Sequence, residues 1–380
     1  MTDFLNLINS KEISETGGNY PQIEGLVKGY DYNAKSSILN ITDLETDNSY
    51  IPNIQDFIIR KSSKLTDFLS FNSDFFIVTE KVIKLLQDFN LPPNKQFENI
   101  VRQGDKKHTY FVLFFFKDKY DFTNFTKSKF TLRFFEKKEK CATIFKTKEN
   151  LEKELNQAYQ RFTNLIYYNS KSNPTFDIFK VNKYQNHFFV SEKLRQAFIN
   201  NKVTGIDYLQ NVDTVFSSTN EKEILKRNKL YNSYFLNRTS YFSNGNLCRQ
   251  FCPKKQVIEE FNRSGKKERE LLLQKGKFNG SERVFFANGN IKLEKLVKSK
   301  LEVVFKYFFQ NGNLNYEISY HDKKGVICDR VLNIEGEELK NYKLKNGNGK
   351  ILHFNSNGKS GRELVFKRHH MIEEKKITKQ

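Results

Sequence analysis

YFFQNGNLNYEISY, residues 307–320, is the stretch on which the fold turns. An aromatic pair leads through one polar residue into Asn311-Gly312, and the chain leaves through alternating apolar positions. Asn-Gly tolerates positive φ at both central positions of a tight hairpin turn, and alternation marks a strand with one apolar face. The pattern returns as VFFANGNIKLEK (284–295), YFSNGNLCRQF (241–251) and HFNSNGKSGRELVF (353–366). Aligned, the glycines are Gly245, Gly265, Gly289, Gly312, Gly336 and Gly358, a nearly even spacing. Four positions before them stand Tyr241, Phe261, Phe285, Phe308, Leu332 and Phe354. Directly before them come Asn244, Ser264, Asn288, Asn311, Glu335 and Asn357, the second and fifth units being the least regular. One such hairpin cannot bury its aromatic residue, but stacked neighbours share a core. The repeats therefore predict an all-β array, with a turn at each glycine and the six large residues in one apolar row.

Working outward, 380 residues suit two or three domains. Residues 1–60 hold 4 Lys/Arg and 9 Asp/Glu, residues 61–216 hold 26 and 17, and residues 217–380 hold 34 and 18. The net charge of +20 thus belongs mostly to the second half. That field favours acidic partners: nucleic acid, an anionic membrane or an acidic protein. Lys, Asn, Phe and Ile are abundant throughout, so charge alone does not choose among them. The longest apolar run, Tyr110–Phe116, has the length of a buried strand and falls short of the ~18 residues of a membrane span. The first residues lack a basic segment followed by an apolar one, so no signal peptide is expected. Four cysteines, Cys141, Cys248, Cys252 and Cys328, make no disulfide framework, and a cytoplasmic location is expected. Cys248 and Cys252 with the distant His369-His370 do not make a zinc site.

The N-terminal half reads differently. The segment 50–69 has helical spacing of apolar residues. FFIVTEKVIKLLQDFNLPP (75–93) reads as a short strand, a helix capped at Thr79 with Glu80 in its first turn, and a stop at Pro92-Pro93. FFVSEKLRQAFINNKVTGIDYL (188–209) repeats the device, with Ser191 and Glu192, an end at Asn200-Asn201, and Gly205 turning into a strand. Between the copies lie three strand-like segments, within 108–118, 129–138 and 141–147, and an amphipathic helix over 148–168. The predicted architecture is an α+β domain over 1–215, a linker over 216–237, about six β-hairpin repeats over 238–367 and a charged tail over 368–380.

Two resemblances bear on function. KGKFNGSERVFFANG (275–289) and KNGNGKILHFNSNG (345–358) alternate a Gly-rich turn with a strand leading to aromatic-x-x-Asn-Gly, which resembles the MORN-variant repeats over 238–367. In bacteria those repeats are common in antitoxin-like and immunity-like proteins. The apolar-Ser/Thr-Glu-Lys-apolar signature at Phe76–Leu86 and Val190–Tyr208, ending in Gly205-Ile206-Asp207-Tyr208, is similar to an immunity-protein family of bacterial polymorphic toxin systems. The resemblances imply a non-enzymatic antitoxin that occludes a cognate toxin, with no catalytic residue, metal or cofactor. The +20 charge adds the expectation of an acidic contact surface on that toxin. They do not assign partner-binding residues. The alternative is a nucleic-acid-binding protein using the basic repeat face; a third class is an enzyme whose site is scattered in sequence. NGKSGRE around Gly358 is not a P-loop, because His353 stands where the first glycine should be. No Gly-x-Ser-x-Gly elbow or helical His pair is present. The Lys clusters could attract anionic lipid headgroups, but no amphipathic anchor helix accompanies them.

Overall fold

The computed structural model describes residues 4–17, 21–31, 37, 55–71, 75–116, 123–134, 141–143, 145–155, 158–167, 176–181, 188–210, 214–216, 239–274, 277–299, 301–322 and 325–378. The chain is mainly β and divides into two compact units. One comprises Met1–Asn232 with Ser240–Asn246, and the other Ser233–Thr239 with Leu247–Gln380. The expected linker over 216–237 lies, from 217 onward, outside the described residues.

In chain order the first unit holds β1 (Phe4–Asn9), α1 (Ile13–Thr16), β2 (Ile23–Leu26), β3 (Phe57–Ile59), β4 (Phe68–Leu69) and β5 (Phe76–Val78). There follow α2 (Glu80–Leu86), β6 (Asn94–Gln103), β7 (Lys106–Phe115), β8 (Lys129–Phe134), β9 (Cys141–Thr143), α3 (Lys148–Leu155) and β10 (Ala158–Tyr167). It closes with β11 (Ile178–Phe179), β12 (Phe188–Ser191), α4 (Glu192–Asn200), β13 (Ile206–Gln210), β14 (Thr214–Val215) and β15 (Ser240–Tyr241). Six strands run in the order β2-β3-β6-β7-β5-β4, and four in the order β14-β10-β8-β9. β1 lies between β12 and β13, with β11 beyond β12 and β15 beyond β13.

The long apolar run owes its composition to burial on both faces. Tyr110, Val112 and Phe114 of β7 enter one core with Phe57, Ile59 and Ile77. Leu113 and Phe115 enter the other, with Val78, Val82, Leu194, Phe198 and Tyr208. A strand buried on both sides needs no alternation. Two helices expected from spacing are corrected. Within 50–69 the described residues form β3 and β4: buried Phe57 and Ile59 flank half-buried Ile58, a period of two, and β3 pairs with β2 and β6. Over 148–168 the helix ends at Leu155. The aromatic and β-branched run that follows, Tyr159, Phe162, Thr163, Ile166 and Tyr167, becomes β10, paired with β8 and β14. Such residues fit a pleated sheet better than a helix.

The second unit is a ladder of antiparallel hairpins: β16 (Leu247–Cys252), β17 (Val257–Phe261), β18 (Lys267–Gln274), β19 (Lys277–Phe285), β20 (Ile291–Ser299) and β21 (Glu302–Phe308). It continues through β22 (Leu314–His321), β23 (Gly325–Val331), β24 (Leu344–Lys345), β25 (Asn348–Phe354), β26 (Ser360–Lys367) and β27 (His370–Thr378). Each pairs antiparallel with the next. The charged stretch 368–380 is not a tail from its start: Arg368-His369 form a two-residue turn, and β27 extends the sheet through its register with β26.

The apolar row needs a second correction. Among its six members only Phe354 is fully buried, and the other five are half-buried. In β20 every residue but Lys292, Lys298 and Ser299 is half-buried whichever face it occupies. Among the described residues the extended apolar core of this unit lies toward the C-terminus, around Phe309, Tyr316, Ile318, Cys328, Val331, Leu344, Ile351, Leu352 and Phe354, while Val257, Ile258 and Leu271 are buried separately in β17 and β18. Phe309→Ala, at a position 0% exposed, should therefore cost about 3–5 kcal/mol of unfolding free energy. Phe285→Ala should cost only about 1–2 kcal/mol, because less area leaves water at that site. Urea melts of the two variants measure the difference.

Candidate interaction surface

The hairpin turns set the edges of the array. In the third repeat Gly289 N–H donates to Phe286 O at 2.9 Å and Phe286 N–H donates to Asn290 O at 2.8 Å. The fourth repeats this with Gly312, Phe309 and Asn313 at 3.0 and 2.8 Å. All six repeat glycines have positive φ, from 70° to 96°. The residues before them do not: the non-glycine residues with positive φ among those described are Lys202, Gln256, Asn346, Arg368 and His369. The turn is thus a type I turn closed by a left-handed glycine, with the register shift of a bulge at Glu260/Phe261, Val284/Phe285 and Tyr307/Phe308. The geometry expected at these turns, with positive φ at both central residues, occurs at the opposite end of the strands, at Asn346-Gly347 and Arg368-His369.

What, then, does asparagine do before glycine? Its side chain bonds twice. Asn288 Oδ1 accepts from Asn290 N–H, and Asn311 Oδ1 from Asn313 N–H. The amides of Asn288 and Asn290 both donate to Gln310 O of the next turn, at 2.8 and 2.9 Å. Those of Asn311 and Asn313 both donate to Ile334 O of the turn after that, at 3.0 Å each. Asn-Gly-Asn is a clamp from turn to turn. At the other end of the strands Gly325, Gly347 and His369 are evenly spaced in sequence, and a Cβ on either glycine would collide with the His369 ring.

Charge is organised on both sheet faces. Glu259, Glu270, Arg283, Glu294, Lys306, Glu317 and Arg330 stand directly opposite one another on successive strands. Arg283 bridges Glu270 at 3.6 Å and Glu294 at 2.8 Å, Lys306 meets Glu317 at 3.8 Å, and Lys267 sits 2.6 Å from Glu270 and 3.9 Å from Glu259. One residue along, hence on the opposite face, Arg249 meets Glu260 at 3.6 Å, and Arg269 bridges Glu260 and Glu282. Burial pushes the Glu259 carboxyl up. Hydrogen bonds from Cys252 Sγ and Gln250, with the Lys255 and Lys267 ammoniums, outweigh it and hold the group below its ordinary value. The Cys252 thiol is raised by burial and by that carboxylate, which disfavours the reactive thiolate. His353 is held low, chiefly by burial and then by Arg362; its ring lies edge-on to Tyr307 and Tyr316 at 5.9 and 5.4 Å.

In the first unit the duplicated joint shows its purpose. Thr79 precedes α2 and Ser191 precedes α4 as N-caps, but only Ser191 caps with its side chain, accepting from Leu194 N–H at 3.1 Å. Each hydroxyl donates to an aspartate that sequence reading passed over, Thr79 to Asp67 at 2.9 Å and Ser191 to Asp177 at 2.6 Å. The second carboxylate oxygen then crosses to the other copy. Asp67 Oδ2 accepts from Thr204 N–H and Oγ1, just after α4, and Asp177 Oδ2 accepts from Asn90 N–H, just after α2. TDFL (66–69) and FDIF (176–179) carried the signal, each standing shortly before its strand–helix joint.

Within the second unit the turns from Gly265 to Gly358 are thus brought into series, the Gly245 turn belonging to the first. Phe76–Leu86 and Val190–Tyr208 share one core. The segment around Gly358 is a hairpin turn whose glycine lies against Ile334. No group of three or more potential metal-ligating side chains occurs among the described residues. No helix of the described residues is long and apolar enough to cross a membrane. Neither a protein-family model nor a curated protein matches the chain.

His353, whose burial disfavours its charged form, predicts a pH response. Its folded-state value lies below the unfolded one of ~6.5, so its contribution is intact above that pH and is lost as pH falls below it. The urea midpoint should drop between pH 7 and 5.5, and drop less in His353→Gln. Asp67→Asn removes one end of a charge-assisted network and should cost about 1.5–3 kcal/mol; Asp177→Asn should match it if the two joints are equivalent.

Proposed function

We propose that the chain is a non-enzymatic immunity protein, an antitoxin that binds a cognate bacterial toxin and neutralises it by occlusion. On this reading the first unit is an α+β domain of the immunity kind and the second an array of MORN-variant repeats. One observation carries it. The two stretches bearing the immunity-family signature lie far apart in sequence, yet they make one substructure. Their apolar residues share a core, and the aspartate bonded to each cap hydroxyl also accepts from the chain just beyond the other helix. A signature belonging to one domain has this property, whereas two unrelated strand–helix joints have no reason to be linked reciprocally. The repeats add support, because a series of similar turns presents an extended surface without demanding reactive groups. A cytoplasmic location suits such a role.

The test is co-expression with the product of the adjacent upstream gene. A stable stoichiometric complex that abolishes that product's toxicity is the expected result. Affinity should depend on a few buried aromatic or Arg anchors rather than on rim charges. Absence of a complex, with toxicity unrelieved, would refute the proposal.

A further inference from the structure

β27 has a strand on one side only: among the described residues it pairs with β26 and with no other strand. Every residue from His370 to Lys376 is exposed, Met371 to 53% and Ile372 to 59%. The backbone N–H and C=O groups of its outer side are therefore open to another strand. The register with β26 shifts between Val365 and Phe366, which leaves Ile372 as the extra residue of a bulge. From Glu373 to Thr378 the register is unbroken. Lysines and bulges ordinarily discourage pairing at a sheet edge. Here the bulge lies at one end, and the lysines follow two acids, in the order Glu373-Glu374-Lys375-Lys376.

That order is self-complementary. Two copies of one strand pair antiparallel about a two-fold axis normal to the sheet. Opposed residues share a face, so the axis must run through a residue rather than between two. With the axis at Glu374, Glu373 of each copy faces Lys375 of the other. With the axis at Lys375, Glu374 of each copy faces Lys376 of the other. Either register makes two opposite-charge pairs across the new boundary, and such pairs favour the ladder that contains them. The residue on the axis meets its own copy, but its charge is already countered within the chain. Arg362 Nη1 lies 2.7 Å from Glu374, and Lys375 Nζ lies 3.0 Å from Glu373. A segment of one sign would repel its copy in both registers. We propose that β27 docks on β27 of a second copy of this chain, joining two arrays edge to edge. The same edge serves both partners, so the contact closes as a dimer and does not propagate. The proposal does not rest on the antitoxin reading, because it concerns only the array's own edge.

Sedimentation velocity of the full chain, from about 1 to about 100 μM, tests the proposal. One strand pair buries little area, so half-dissociation is expected on the order of 10 μM. Lys375→Glu/Lys376→Glu makes the segment wholly acidic, and Glu373→Lys/Glu374→Lys makes it wholly basic. Each should weaken self-association about tenfold or more. An equimolar mixture of the two should dimerise at least as well as the unaltered chain, because every facing pair is then opposite in sign in either register. If a reversed variant fails to fold, the exchange variant Glu373→Lys/Glu374→Lys/Lys375→Glu/Lys376→Glu still reads the contact. It keeps the net charge and should pair with itself but not with the unaltered chain. A chain monomeric throughout, self-association undiminished in both reversed variants, or a mixture no better than its components would each overturn the proposal. Loss of binding to the upstream gene's product in the reversed variants, with the unaltered chain monomeric, would assign the edge to that protein instead.

Discussion

A strand whose residues are half-buried on both faces gains little from apolar burial to hold it in register, as β20 shows. The array meets that constraint within the sheet plane. From Glu270 through Arg283, Glu294, Lys306 and Glu317 to Arg330, opposite charges face one another across successive strands, so a slip of one residue there would replace the attractions with unpaired or like-charged neighbours. Ion pairs that are half in water contribute little stability. Their effect is selective, since they favour one pairing over its competitors. At the strand ends, side-chain amides tie the third turn to the fourth and the fourth to the fifth. Stability concentrates instead where Phe309, Ile351 and Phe354 exclude water near the C-terminus.

The first unit solves a different problem with a similar economy. Its two strand–helix joints are short, and α2 spans only Glu80–Leu86, too short to be stable alone. Each joint is held because an aspartate fixes its own cap hydroxyl with one oxygen and the chain beyond the other helix with its second. Neither copy reaches this bonding pattern without its counterpart. The common core, drawn from β5, α2, β12, α4 and β13, has the same property of shared construction.

Much of this was legible in the sequence where the signal was local and repeated. The glycine spacing located the turns, and Ser191-Glu192 marked the start of α4. Readings failed where tertiary partners decided the outcome. The segment 158–167 has amphipathic spacing compatible with a helix, but β8 offers it an antiparallel partner. Phe285 and Phe308 look like core residues, yet both are only half-buried. Asp67 and Asp177 were illegible because an acid before two apolar residues is ordinary on its own, and its meaning lies in a hydroxyl well along the chain, on Thr79 or Ser191. The cross-strand charge order was hidden for a related reason: it exists only once the register is known.

The turn clamp bears on how such a chain could change over generations. The fourth repeat offers two amide donors on one side, from Asn311 and Asn313, and one carbonyl, that of Gln310, on the other, so it has the form of an interchangeable module. Duplication of that repeat would leave both bond types intact. The C-terminal hairpins are less permissive, because the His369 ring occupies space that Gly325 and Gly347 leave vacant. Lengthening of the array is therefore easiest among the middle repeats, and its last turns act as a fixed terminus.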